Sequence, residues 1–400
     1  MNKENSPFTP GNPVPVELFV GRSEQIEELI RYVNQTSSGR AENVFLAGDR
    51  GIGKSSLASF LRYYVSTQKN MLAVHVFLGR VAALEAMVHH IFEQILKEVK
   101  GHVWFDDVKN FFGKHIKEIG LFNISVSFAP PAEDLRELVS RFPEALNNLL
   151  KKMREQQIGK KGLLVVLDDI NGLVEKAEFA HWYKSFADEV ATHYPDFPVL
   201  MMLIGLPEKR DILSDRQPSL MRIFRVVRIE KLSDDEVKDF LSRAYAKAGL
   251  KVQADAMEVM VRYSSGLPFL MHEIGDATFW RDSDGFIDRL DALSGVIAAA
   301  EKVGEKYLDP KVYRAIRSER YKSILRTLGH IHIGRSFEKK TVEASLNESD
   351  KKVFHNFLKR IRDLGVIEPD TEKGRGTYRF VNEIYPLYIM MESQRSQKIG

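Results

Sequence analysis

The residues most able to do chemistry lie at positions 48 to 55, Gly-Asp-Arg-Gly-Ile-Gly-Lys-Ser. They match the spacing G-x-x-x-x-G-K-[ST] at every defined position. Glycines let a backbone wrap a phosphate chain with its N–H groups turned inward, and a helix starting at the lysine presents its positive end to the same anion. Lys54 is expected to reach the β- and γ-phosphates of ATP and Ser55 to ligate Mg2+, with Gly48, Gly51, Ile52, Gly53 and Ser56 completing the cradle.

The second group is Leu163 to Asp169, LLVVLDD, an apolar run that ends in two carboxylates. In an open α/β sheet, ligands bind beyond the carboxyl ends of the strands, which would put these acids beside the phosphate loop. Asp168 is expected to hold Mg2+, largely through water, and Asp169 to orient or deprotonate an attacking water. Acids at a strand end are commonplace alone. An intact phosphate loop in the same chain gives this pair its meaning.

Such groups need a sheet to hold them. Asn43 to Ala47, Leu72 to Leu78, Leu163 to Leu167 and Val199 to Ile204 are short apolar runs of the kind buried in a parallel sheet, separated by helical material. Arg225 to Ile229 fits a fifth strand at the edge. Ser23 is expected to cap a helix over Gln25 to Val33. An insertion spans about 80–160, where FNISVSFAPP reads as a hairpin or an edge strand ending at Pro130. From a capping box at Ser233 and Glu236 the pattern turns helical, with further helices near Ala254 to Tyr263, Pro268 to Trp280 and Phe286 to Val303. Leu308 and Pro310 mark a joint. The expected divisions are a disordered 1–15, an α/β ATPase core at 16–231, a helical domain at 232–308 and a terminal module at 309–400.

Charge singles out that terminal module. Residues 311 to 400 hold 19 Lys/Arg against 11 Asp/Glu, so the module is strongly basic in a chain whose net charge is only +3. Three helical stretches, Tyr321 to Leu328, Glu338 to Leu346 and Glu348 to Leu364, precede two short strands around the turn EKGRG, the pattern of a winged helix. The third helix carries Lys351, Lys352, His355, Lys359 and Arg362 outward, and the turn offers Lys373 and Arg375. These cations suit DNA phosphates, although such a module also serves as a regulatory or protein-docking unit.

The 400 residues contain no cysteine, which excludes disulfides, thiolate metal sites and cysteine nucleophiles. The first residues are polar and proline-rich, and no apolar run approaches the roughly 18 residues of a membrane helix, so a soluble cytoplasmic protein is expected. His89-His90 and His330-x-His332 read as structural, with no acids completing a metal site.

From about residue 16 to 392 the chain resembles the AAA+/STAND ATPases, in particular the origin-recognition-like and archaeal-type branches. Phe19 to Glu24 resembles the family's entry motif, which implies adenine contacts for Val20, Gly21 and Arg22. Ser265-Gly266-Leu267-Pro268 resembles the GxP signature of the STAND lid, implying that Pro268 touches the base, though Gly-x-Pro is also a common helix start. The resemblance implies a P-loop NTPase fold of the ASCE, AAA+-like kind: sheet order 5-1-4-3-2, a helical lid and a C-terminal winged helix. It also implies nucleotide-dependent homo-oligomers. Arg222 or Arg225 would supply an arginine finger across the interface, or would simply coat the surface. Two departures point to slow hydrolysis: Gly205 stands where many relatives place a polar γ-phosphate sensor, and Asp169 replaces a longer glutamate.

Overall fold

The computed structural model describes residues 4–99, 116–119, 125–128, 131–155, 161–331 and 334–399. The chain divides into two compact units, one of Pro15–Glu230 and one of Met1–Val14 with Lys231–Gly400. Among the described residues no helix is long and apolar enough to cross a membrane.

The strands of the first unit are β1 (Glu42–Ala47), β2 (Leu72–Phe77), β3 (Ile116–Ile119), β4 (Ser125–Phe128), β5 (Leu163–Asp168), β6 (Val199–Gly205) and β7 (Arg225–Arg228). β3 and β4 pair antiparallel, so FNISVSFAPP supplies one half of a two-stranded pair; Pro130 lies outside the described residues. The other five strands form one parallel sheet ordered β2-β5-β6-β1-β7. Counted among themselves they run 2-3-4-1-5, the expected 5-1-4-3-2 read from the opposite edge.

Burial explains that order. Every residue of β5 and β6 is buried, as strands covered on both faces require, and they occupy the interior. β7 exposes Arg225 and Arg228 and takes an edge, where charge discourages further strand pairing. Helix α1 (Ser23–Ser37) begins at Ser23 itself; its N-cap is Arg22, with φ 64° and no side-chain cap, so Ser23 is not the capping residue. Helix α2 (Lys54–Gln68) buries Leu57, Leu61 and Val65. Helix α3 (Leu84–Val99) buries Leu84, Met87, Val88, Ile91, Phe92 and Ile95, an inward stripe at helical period.

In the second unit the capping box at Ser233 is formed: the Glu236 amide donates to Ser233 Oγ at 3.3 Å and the Ser233 amide to Glu236 Oε2 at 2.8 Å. Helices Asp234–Lys247, Ala254–Ser264, Pro268–Arg281 and Arg289–Val303 follow, with a short parallel pair of strands, β8 (Lys251–Val252) and β9 (Phe286–Ile287). The joint expected at Leu308 and Pro310 falls within continuous helical turns. The helix runs on through wide i→i+5 turns over Gly304–Tyr313, with Arg314 N–H bonded to the Asp309 carbonyl at 2.8 Å. Pro310 has no N–H to give and would crowd the carbonyl four residues back in an α-helix; the wider turn accommodates it.

The basic region contains helix Glu319–His330, strand β10 (Ser336–Glu338), helices Lys339–Ala344 and Glu348–Asp363, strands β11 (Ile367–Pro369) and β12 (Thr377–Phe380), and helix Ile384–Ile399. β10-β12-β11 is an antiparallel sheet whose first strand, three residues long, has no sequence periodicity to reveal it. Phe354, Phe357, Leu358 and Ile361 face inward as expected.

The expectation of disorder for 1–15 fails at Phe8, which is 4% exposed. Its ring packs edge-on against Tyr245 at 4.9 Å and Phe240 at 5.9 Å, and the next amide, Thr9 N–H, donates to His272 Nδ1 at 3.0 Å. A Cβ on Gly275 would lie 2.3 Å from the Phe8 ring, so that glycine makes the slot. One apolar anchor in a polar, proline-rich stretch suffices because burying a phenylalanine contributes about 1.5–3 kcal/mol.

Candidate functional site

The loop of residues 48–53 leaves the buried end of β1 and runs into α2. Gly53 is the N-cap of α2 at φ 96°, a conformation that side chains resist. Gly48 is needed for space: a Cβ there would stand 2.9 Å from Ile52 Cγ2 and 3.1 Å from the Ile229 carbonyl. Ile52 is buried and pins the loop from beneath. The Lys54 ammonium donates to the carbonyls of Gly48 at 2.9 Å and Asp49 at 2.7 Å, folding across the loop. Burial pushes Lys54 below its ordinary pKa, while the negative charges of Asp168, Asp49 and Asp169 oppose that shift. The acids and the loop follow the same ends of two parallel strands, β5 and β1, with β6 between them.

Asp168 closes β5 with 4% exposure. Its Oδ2 lies 3.0 Å from Nε2 of His75, a buried residue of β2. A carboxylate only accepts, so Nε2 carries the hydrogen. Asp169 is exposed and sits at φ 59°, an unusual backbone for a side-chain-bearing residue. Asn171 Nδ2 donates to its Oδ1, and a Cβ on Gly79 would come 2.8 Å from its Oδ2. The other end of that amide, Asn171 Oδ1, is buried without a hydrogen-bond partner. Neither His75 nor Asn171 was singled out by motif. Alternating strand neighbours of a terminal acid are the positions where such partners could be sought, but only register shows which residue reaches it.

A hard divalent ion takes oxygen ligands, and the Asp168 carboxylate with the Ser55 hydroxyl supplies that chemistry beside a turn of backbone amides. Ser55 and Ser56 are half-buried on the first turn of α2. The residues present thus fit a magnesium nucleotide.

Arg22 is spent within the first unit. It is 7% exposed and donates to the Ile52 carbonyl at 3.1 Å and to the Glu230 carbonyl, bracing the phosphate loop from behind. It follows Gly21, also at positive φ, while Phe19 stacks on Phe60 at 4.9 Å and so fixes the approach of Val20. Gly205 ends β6, and a Cβ there would lie 3.2 Å from Phe45 and 3.4 Å from Ile170, which leaves little room for a polar sensor.

Arg222 and Arg225 stand elsewhere. Arg225 pairs in register with Val44, early in β1, whereas the phosphate loop springs from the far end after Ala47. Arg225 lies 3.9 Å from Glu42, whose carboxyl is raised by burial. Arg222 is exposed, before the start of β7. The fold does not bring either arginine to its own loop. In the other unit, Pro268 is the first residue of helix Pro268–Arg281, and Gly266 lies so close to the Leu232 carbonyl, 2.3 Å from a notional Cβ, that no side chain fits.

On helix Glu348–Asp363, Lys352, His355 and Lys359 are exposed. Lys351 is paired with Glu348 at 2.7 Å and Arg362 stands 3.8 Å from Asp363. Lys373 and Arg375 are exposed between β11 and β12. Two further cations escaped the sequence reading: Arg317 and Arg360 line a hollow of about 360 Å³ with Lys359, Ser318 and Tyr321. His89 and His90 do find an acid, since their ring nitrogens and a Glu93 oxygen lie within 4.8 Å of one another, but Glu93 is already held by Lys97 at 3.0 Å. His332 lies outside the described residues.

Residues 18–185 match the model of the AAA ATPase domain. A Walker-type ATPase of Pyrococcus abyssi superposes with TM-score 0.52 at 15% identity, over 93% of this chain and 96% of that one. The ORC2 protein of Aeropyrum pernix, in its ADPNP-ADP complexes, superposes with TM-score 0.57 at 14% identity, over 98% and 97%. At such identities these two likenesses concern the fold. An uncharacterized HTH-type transcriptional regulator of Methanocaldococcus jannaschii is 21% identical over 253 residues, 61% of this chain, and the match spans only 58% of that relative. Sheet order and phosphate loop together give the first unit the P-loop NTPase fold, and its residues 18–185 are similar to the AAA ATPase domain.

Proposed function

We propose that the chain is an ATP-driven switch that binds ATP and Mg2+, hydrolyses ATP slowly, and couples nucleotide state to self-assembly and to DNA held by its C-terminal module. In this reading the core is 16–231, the helical lid 232–308 and the basic winged helix 309–400. The observation that carries it is a glycine loop running from β1 into α2, with Lys54 folded over the Gly48 and Asp49 carbonyls, in the same parallel sheet whose strand β5 ends in the buried Asp168. Lys54 and the loop amides bind the phosphates, Ser55 and Asp168 hold the ion, and Asp169, steadied by Asn171, orients the water. When bound, Mg2+ neutralises charge on the phosphates. Val20 and Pro268 are assigned to the base, and Arg22 to the loop's support.

Slow turnover follows from the crowded Gly205 and the short Asp169 side chain. The placement of Arg222 at the opposite strand ends from the loop makes it useful only to a neighbouring copy, so turnover should depend on assembly. The DNA reading rests on the exposed Lys352, His355, Lys359, Lys373 and Arg375, with Lys351 and Arg362 partly engaged by acids, and on the helix-turn-helix description of the Methanocaldococcus jannaschii relative. Mass measurement in solution, with and without a slowly hydrolysed ATP analogue and duplex DNA, tests it. Assembly on adding the analogue, and DNA association that falls steeply with salt, are expected. Absence of nucleotide binding would end the proposal.

The ion pairs of Lys351, Arg362 and Arg379, the last 2.7 Å from Glu368, lower the free charge of the module. They favour a second reading, in which the switch is a STAND-type signalling ATPase whose winged helix docks a protein. Nucleotide-dependent assembly without salt-sensitive DNA association would select it.

A further inference from the structure

Asp168 is fixed by a residue that belongs to no motif. His75 lies on β2, the strand beside β5, and its Nε2 meets Asp168 Oδ2 at 3.0 Å with both side chains almost wholly buried, 4% and 6% exposed. The imidazole is itself held: it stacks on Phe77 at 4.3 Å with the rings 22° apart. Phe77 is 64% exposed, which apolar packing alone does not favour, but it covers one face of the histidine. Strand register makes the arrangement rigid, because Val76 pairs with Leu167 and Phe77 with Asp168.

A buried carboxylate without a donor would be strongly disfavoured, so the pair has a structural use. It also has a geometric consequence. With Oδ2 accepting from His75, Oδ1 is the oxygen left unengaged by that histidine for the hydration shell of an ion, and the hydrogen bond restrains rotation about the last side-chain bond. Partners of this kind orient metal-binding carboxylates and typically affect metal affinity 10–100-fold.

We propose that His75 is a positioning residue of the magnesium site: its Nε2–H locks Asp168 so that Oδ1 serves the ion. The proposal rests on the reading that Asp168 holds Mg2+. It predicts that His75 matters to the ion and not to the phosphates, which are bound by the loop.

The full-length chain is titrated with a fluorescent ATP analogue in EDTA and over a range of Mg2+ concentrations. His75→Phe keeps the ring against Phe77 and removes the donor; His75→Gln keeps a donor at similar reach. His75→Phe is expected to bind the analogue in EDTA within about twofold of the natural chain, while the Mg2+ concentration giving half-maximal tightening rises about tenfold or more. His75→Gln should restore that midpoint to within about threefold. An unchanged Mg2+ midpoint in His75→Phe, or equal weakening with and without Mg2+, overturns the proposal. Should His75→Phe fail to fold, His75→Asn, whose amide is too short to reach, is compared with His75→Gln, and equal midpoints for the two overturn it. Asp168→Asn separates the two layers of argument. If it leaves the Mg2+ midpoint unchanged, the magnesium role of Asp168 has failed and His75 falls with it; if it raises the midpoint while His75→Phe does not, only the role of His75 has failed.

Discussion

Protonating one buried histidine should loosen the N-terminal segment from the helical unit by a calculable amount. His272 accepts the Thr9 N–H at Nδ1, so it must be neutral with its hydrogen on Nε2. Burial lowers its pKa to about 4 from 6.5, and the nearby Asp276 only partly opposes this. The native state thus refuses a proton that the unfolded chain accepts. Stability from this group is complete above about pH 6.5 and is lost as pH falls through about 4. The whole shift is worth about 3 kcal/mol, of which about 2 kcal/mol is already gone at pH 5. That loss corresponds to about a 30-fold rise in the opening equilibrium. Hydrogen exchange of helix Pro268–Arg281, compared at pH 7 and pH 5 after correcting for intrinsic chemistry, should show it. His272→Gln can accept from Thr9 without titrating and should lose this extra pH response. The same response in both proteins would refute the assignment of the effect to His272.

Three further outcomes follow from the phosphate loop and the basic helix. Lys54→Ala removes the side chain folded over the Gly48 and Asp49 carbonyls; ATP affinity measured by titration should fall at least 10-fold, with the melting temperature without nucleotide changed little. Asp169→Asn should lower phosphate release about 10²–10⁴-fold while leaving ATP binding intact, and equal release rates would remove Asp169 from the chemistry. Exchanging Lys352 and Lys359 for alanine should reduce the slope of log affinity against log salt by about 0.9 per lysine that contacts a phosphate, as read by filter binding.

The loop could be read from the chain because its chemistry is local: spacing, glycine conformations and the following helix all lie within a few residues of one another. The strands were legible for a related reason, since unbroken apolar runs such as Leu163 to Leu167 can be satisfied only between two covering layers. The sequence by itself therefore determined that one chain carries a glycine loop between a strand and a helix and a second buried strand tipped with acids, and that the basic surplus is concentrated at the C-terminal end.

Tertiary structure decided what sits behind those groups. His75 and Asp168 are 93 positions apart and meet through the register of β2 with β5. Arg22 reaches Ile52 and Glu230 through a left-handed turn that no propensity marks, and Phe8 finds its slot because Gly275 lacks a side chain. Leu308 and Pro310 signalled a joint, yet wider turns carry the helix through Pro310 with Leu308 and Val312 buried. Such partners are chosen by distance in three dimensions, where a hydrogen bond or a methyl-sized space matters more than any local preference, and one-dimensional patterns carry no record of that distance.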